Sequence, residues 1–236
     1  MYFSKLQFDP RAIALSHDAY GSHQLVWHAF PSERGTPRDF VFRYEQSSGR
    51  NPFSPRSHTG SVYYVVSQRP PKVPGDVGVA QIKSYEPKIR AGERFFFSLR
   101  ANPVVSRREH ETGAADESRK SKVKRHDVLM EAKLRAKADK IDPGRWAVLQ
   151  RQAVLTWFDS QSAQFGCSVD TDESFAVNGY RQHVLQRGGR DPIRFSSVDI
   201  TGVIEAKEPE QLVQALFRGV GRSKGFGCGL LLLRRL

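Results

Sequence analysis

The sequence is poor in cysteine, in acid and in long apolar runs. Its two cysteines, Cys167 and Cys228, stand alone among 236 residues. They offer no metal-ligand spacing and no framework for a disulfide scaffold, so a reducing cytoplasm is the expected location. No apolar stretch reaches the length of a membrane span. Met1-Tyr2-Phe3-Ser4-Lys5 lacks a signal-peptide pattern. Neither a Ser-His-Asp order nor a paired-carboxylate signature stands out. Acid is scarce, 25 Asp and Glu against 37 Lys and Arg, which leaves a formal net charge of +12 and a pI near 10.0. Solubility needs much less charge. The excess favours a polyanionic partner, nucleic acid first and an acidic membrane surface second. The length permits one large domain or two small ones.

Tyr2 to Phe8 alternates as a first strand, ended by Asp9-Pro10. Residues 18–30 predict a helix, capped by Ser16 or Asp18 and followed by Pro31. Ala19, Ser22, Val26, Ala29 and Phe30 form its buried stripe, with Tyr20, His23 and Trp27 on a neighbouring face. Strands follow at 39–46 and 61–67, separated by a loop at 47–60 rich in Ser, Pro and Gly. Pro70, Pro71 and Pro74 break the next segment before weaker strand character at 78–89. This β-α-β-β-β order suggests a ferredoxin-like unit whose sheet keeps one face free.

A second unit opens with the strand Arg94–Arg100, turned by Ala101-Asn102-Pro103. Residues 106–126 are almost wholly polar and read as a mobile insertion with a basic end, with 128–138 as the return from it. A helix is predicted over 143–165, with Asp142 as cap and Gly166 as stop. Trp146, Leu149, Ala153, Trp157 and Ser160 line its expected inner face, with Val154 and Phe158 beside it. Strands at 175–186 and 193–206 flank a glycine-containing turn. A last helix, 209–218, turns Leu212, Val213 and Leu216 inward. The fold class is therefore α+β, two ferredoxin-like domains in tandem, residues 1–90 and 91–236.

Three stretches carry candidate chemistry. Gly219 to Gly229 sets glycines beside Arg222 and Lys224 and runs straight into leucines. It is either a turn feeding a buried strand or a nest of N–H groups for an anion. Lys224 precedes a glycine and a strand follows, so it is not a nucleotide P-loop. A helix precedes the glycines, so it is not a dinucleotide fingerprint. The hairpin carrying Arg181, His183, Arg187, Arg190 and Arg194 is either a solvated tip or a ribbon that grips phosphates. Lys122, Lys124 and Arg125 end the polar insertion, as a second basic patch or a tether. His23, one turn after Tyr20, is the best proton-transfer candidate because imidazole titrates near neutrality. The bland alternative is a surface or core His-Tyr pair. His28 lies five residues on and off that face.

Tyr20-Gly21-Ser22-His23-Gln24-Leu25-Val26-Trp27, the opening Met1–Leu6 strand, Leu99-Arg100-Ala101-Asn102-Pro103 and the Gly219–Leu231 loop occur together in order. They resemble the CasE repeat-RNA endoribonucleases of type I-E CRISPR systems, subunits of Cascade. The resemblance runs from end to end and is weakest near 106–126 and at Arg234-Arg235. It implies an RNA-binding cleft between the two domains and metal-independent cleavage of CRISPR repeat RNA at the 3′ base of a hairpin stem, with no cofactor. It assigns proton transfer to His23, with Tyr20 orienting it or touching phosphate, and gives His28 a weaker claim. Stem contacts fall to the Arg187–Arg194 tip. Gly221, Arg222, Lys224 and Gly225 are expected to face the cleft and hold phosphate. The expected partners are the repeat hairpin and other Cascade subunits, with no membrane. A non-catalytic hairpin-binding subunit on the same fold is the alternative, and a general RNA-packaging protein a third reading.

Overall fold

The computed structural model describes residues 1–9, 19–31, 37–45, 62–109, 122–172, 174–187 and 190–236. The first sheet comprises β1 (Tyr2–Phe8), β2 (Phe40–Glu45), β3 (Val62–Ser67) and β4 (Gly78–Ser84), antiparallel in the order β2-β3-β1-β4. Helix α1 (Ala19–His28) crosses over between β1 and β2. That order and crossover are those of a ferredoxin-like sheet. The proline-rich stretch after β3 forms no helix, so the unit lacks the second helix of a full βαββαβ module. The alternation of β1 holds: Ser4, Leu6 and Phe8 are buried. Leu6 and Phe8 meet Val26 of α1 and Ala29 and Phe30 just past its end, together with Phe40, Phe42 and Tyr63.

The sheet face expected to be free is covered. Val62, Tyr64 and Val66 of β3 and Val41 of β2 pack against Leu230 and Leu232, near the chain's other end. The sequence explains this, because Val62 to Val66 is apolar at both parities of the strand and so has no face fit for water.

The second sheet begins with β5 (Arg94–Ala101). A two-stranded ribbon follows, β6 (Val104–Glu109) and β7 (Lys122–Asp127). Then come α2 (Val128–Ala138), a 3-10 turn and α3 (Trp146–Ser162). Strands β8 (Cys167–Val169), β9 (Ala176–Arg187) and β10 (Arg190–Ala206) precede α4 (Pro209–Arg218) and β11 (Leu231–Arg235). The sheet order is β11-β5-β10-β8, with β9 pairing on β10 beyond β8. The ferredoxin-like arrangement thus recurs, with β8 and β9 sharing one edge.

Four expectations are corrected here. The ends of the polar 106–126 segment are not loose: Val104 pairs with Asp127 and Arg107 with Lys124 in an antiparallel ladder, while 110–121 lie outside the described residues. Residues 128–138 are a helix, because Asp127 Oδ1 accepts from Leu129 N and Met130 N, both at 2.9 Å, which satisfies two end donors. The buried side of α3 is Val154, Leu155, Trp157, Phe158 and Ser162. Trp146, from the expected inner face, lies instead under Lys133 and Lys137 of α2, 5.4 and 5.8 Å from the ring centre. In α4, Ala215 rather than Val213 joins Leu212 and Leu216 inside. The stop at Gly166 holds. Its φ is +71° and a Cβ there would meet Glu208 O at 2.3 Å, so only glycine fits.

A buried ionic cluster joins the sheets. Arg43 of β2 donates to Ser98 Oγ of β5 at 2.8 Å. Its Nε lies 2.5 Å from Glu45 and its Nη2 3.7 Å from Asp199 of β10. Arg100 grips Asp199 at 2.8 and 2.9 Å and donates to Tyr44 O. No helix among the described residues is long and apolar enough to cross a membrane.

Candidate functional site

Between the two sheets opens a cleft of about 870 Å³. His23 and Arg38 enter it from the first unit. Arg125, Asp127 and Met130 come from the β7–α2 corner, His183, Arg194 and Phe195 from the β9–β10 ribbon, and Gly221 to Phe226 from the glycine loop. Asp127 is the acid among these, and its carboxylate already caps α2 and accepts from Tyr180 Oη at 3.1 Å. The field of the cleft is therefore set by Arg38, Arg125, Arg194, Arg222 and Lys224.

His23 sits half-buried in the middle of α1, with its Nδ1 2.7 Å from Gly225 O. A carbonyl oxygen only accepts, so Nδ1 carries the proton and the neutral ring keeps its lone pair on Nε2. Burial lowers the His23 pKa from its ordinary 6.5. The Gly225 carbonyl opposes this, and the nearby Arg38 cation adds to the lowering. The ring is also wedged between aromatics, 5.9 Å from Trp27 and 5.5 Å from Phe226. Phe226 stacks on Phe195 at 5.3 Å, and Phe195 on His183 at 4.4 Å. A ladder of rings thus runs from the basic ribbon to His23.

The glycine loop does more than turn. Val220 N donates to Gly229 O and Gly229 N to Arg100 O, each at 2.7 Å, and Phe226 N to Ser223 O at 2.9 Å. Gly229 has φ +89° and an added Cβ would lie 2.6 Å from Val220 O, so the closure demands glycine. These bonds turn the Gly225 carbonyl toward His23. Lys224 Nζ donates to Arg218 O at 3.0 Å, at the C-terminal end of α4. Among the described residues, the Arg222 side chain has a long 3.5 Å contact to Ser106 Oγ.

The structure therefore brings together His23, Arg125, Arg194, Gly221, Arg222, Lys224 and Gly225. It leaves His28 exposed at the end of α1, Lys124 exposed on β7 and Arg181 exposed on β9, all away from the cleft lining. Tyr20 belongs to α1 one turn before His23, and Arg187 and Arg190 pair at the ribbon tip. The side chains of Tyr20, Lys122, Arg187 and Arg190 lie outside the described residues. Arg38, Phe195 and Phe226 were missed. Phe226 lies within the Gly219–Leu231 stretch, and an aromatic beside cations is a usable signal. Arg38 lies in no periodic element. Both cysteine thiols are buried and pushed up to about 12, so neither is a nucleophile at neutral pH.

A family model described as CRISPR associated protein matches residues 1–235. The chain belongs to that family. A curated relative is the CRISPR system Cascade subunit CasE of Escherichia coli K12. It is 27% identical over 236 residues, with 100% of both chains covered. The crystal structure of the CRISPR-associated protein Cas6e from E. coli K-12 superimposes with TM-score 0.64 at 23% identity, over 100% of each chain. Thermus thermophilus Cse3, bound to an RNA representing a pre-cleavage complex, gives 0.66 at 21% identity, over 99% of this chain and 98% of that one. The fold of these structures is that of the present chain, and the CasE resemblance read from the sequence is borne out.

Proposed function

We propose that this CRISPR-associated protein is a CRISPR repeat-RNA endoribonuclease that works as a Cascade subunit. Its two units, dividing near residue 90, hold the RNA hairpin in the cleft between them. The observation that carries the reading is His23, fixed on Gly225 O at 2.7 Å within a cleft lined by cations from both units. Support comes from the relative of 27% identity, which is by name a Cascade subunit.

An A-form stem offers its phosphates and shape rather than its base edges. The β9–β10 ribbon, with Arg194 in the cleft and Arg181, Arg187 and Arg190 along it, suits that contact. At the scissile step the 2′-oxygen attacks phosphorus and the P–O5′ bond breaks. One product ends in a 2′,3′-cyclic phosphate and the other begins with a 5′-hydroxyl. One proton leaves the 2′-hydroxyl and one reaches the departing 5′-oxygen. His23 handles a proton at Nε2, and its lowered pKa favours the neutral, proton-accepting ring at pH 7. Tyr20 orients it or touches phosphate. The nucleophile is internal to the substrate, so this route asks for no metal ion, and the product stays bound.

The test is incubation of the purified chain with its repeat hairpin in EDTA, with analysis of the product ends. Cleavage giving a cyclic phosphate and a 5′-hydroxyl is expected, with a hairpin lacking the 2′-hydroxyl at the scissile nucleotide bound but uncut. Cleavage that requires Mg²⁺ contradicts the mechanism. Tight, salt-sensitive binding without cutting under any condition leaves only a hairpin-binding subunit.

A further inference from the structure

Several arginines among the described residues have a carboxylate or carbonyl partner. Arg69 has Asp39, Arg100 has Asp199 and Arg151 has the carbonyls of Phe175 and Asp172. Arg38 is different. No hydrogen bond or ion pair joins it to any described residue, and its Nε is buried without a partner. Its guanidinium stands in the cleft beside His23. Arg38 Nη1 lies 3.0 Å, and His23 Nδ1 3.6 Å, from the point where a Cβ on Gly225 would sit. The two groups thus flank the same residue, and a larger side chain there would separate them. Lys224 completes the group, since Arg38 acts electrostatically on both Lys224 and His23 and disfavours their charged forms.

Arg38 and Lys224 are two cations packed beside His23 and repel each other, and an orphaned buried guanidinium N–H is costly. Both costs are relieved when a phosphate enters, and relieved most when its charge grows. A guanidinium presents a fixed fork of donors to phosphate oxygens. It sits on the same side of the cleft as the imidazole that handles the proton.

Resting on the endoribonuclease reading above, we propose that Arg38 is a second catalytic residue: it donates to a non-bridging oxygen of the scissile phosphate and stabilises the charge that builds there as the 2′-oxygen attacks and the 5′-oxygen leaves. Arg38 takes no proton and forms no covalent bond. A β-carbon at Gly225 would press on the Arg38 guanidinium at 3.0 Å, although the backbone φ there is not in the left-handed region.

The test compares parent, Arg38→Gln and Arg38→Lys under single-turnover conditions. The dissociation constant of the hairpin lacking the scissile 2′-hydroxyl and the pH–rate profile are measured in parallel. Removing one such preorganised donor lowers the rate roughly 10²–10³-fold, so Arg38→Gln is expected to lose about that much while binding changes far less. Arg38→Lys recovers part of the rate, keeping the charge without the fork. The apparent pKa of His23 in the pH–rate profile rises in Arg38→Gln, because a neighbouring cation is gone. A rate near the parent's, a rate loss matched by an equal loss of binding, or an unmoved pH profile overturns the proposal while the parent still cuts. A parent that binds and never cuts overturns the endoribonuclease reading itself, and this proposal with it.

Discussion

Arg43→Met tests how the two units are held in register around the cleft. Arg43 is buried between the sheets and bridges Glu45, Ser98 and Asp199. Truncation removes a hydrogen bond to Ser98, worth about 1 kcal/mol net. It also removes one member of a buried ion cluster, and breaking such a cluster from one side costs about 3–5 kcal/mol when the partner is left alone. Here the partners are not left alone. Asp199 keeps Arg100 at 2.8 Å and Glu45 keeps it at 3.9 Å. Their side chains are 30% and 19% exposed. The loss therefore falls at or below the bottom of that range, roughly 2–3 kcal/mol. For a chain of this length that lowers Tm by roughly 4–12 °C, readable by differential scanning calorimetry. Arg43→Met combined with Glu45→Leu removes the acid that is left with only the 3.9 Å contact to Arg100, and is expected to regain part of the loss. A single variant melting within about 1 °C of the parent would refute the claim that this cluster binds the units together.

Three further outcomes follow from the same geometry. Gly225→Val places its β-carbon 3.0 Å from Arg38 Nη1 and 3.6 Å from His23 Nδ1. It is expected to lower cleavage by roughly 10²-fold through misplacement, and parental cleavage by this variant would return the loop to a plain turn. In the free chain, NMR titration of His23 is expected to give a pKa below 6.5. The folded state then binds fewer protons than the unfolded one, so this contribution to stability is lost as pH falls from above 6.5 through the lowered value; a His23 titrating above 6.5 contradicts it. Arg194→Ala is expected to weaken hairpin binding and reduce the log–log salt slope by about 1, with an unchanged slope placing Arg194 away from phosphate.

Much of the fold was legible because strands and helices here announce themselves by period. The β1 alternation, the proline and glycine limits of the last two helices and the β9–β10 hairpin all came from local pattern. What local pattern cannot show is which partner covers a face. Val62 to Val66 declared two apolar faces, yet only the packed structure shows Leu230 and Leu232 on the second. The β6–β7 ribbon escaped because most of its residues are charged; it is held by pairing, by Asp127 capping α2 and by Val105 against the core. Within the site, His23 and the glycine loop were each legible, but their union was not, being 202 positions apart in sequence. Arg38 carried no sequence signal at all. Its role arises from lacking a partner, which is a property of three-dimensional surroundings.

The central claim is that His23, held by Gly225, moves a proton during RNA cleavage in this cleft. Single-turnover cleavage of the repeat hairpin by His23→Ala, with binding measured alongside, tests it most directly. The expected result is hairpin affinity close to the parent's with the cleavage rate reduced roughly 10²–10⁴-fold. Cleavage by His23→Ala at the parental rate contradicts the account.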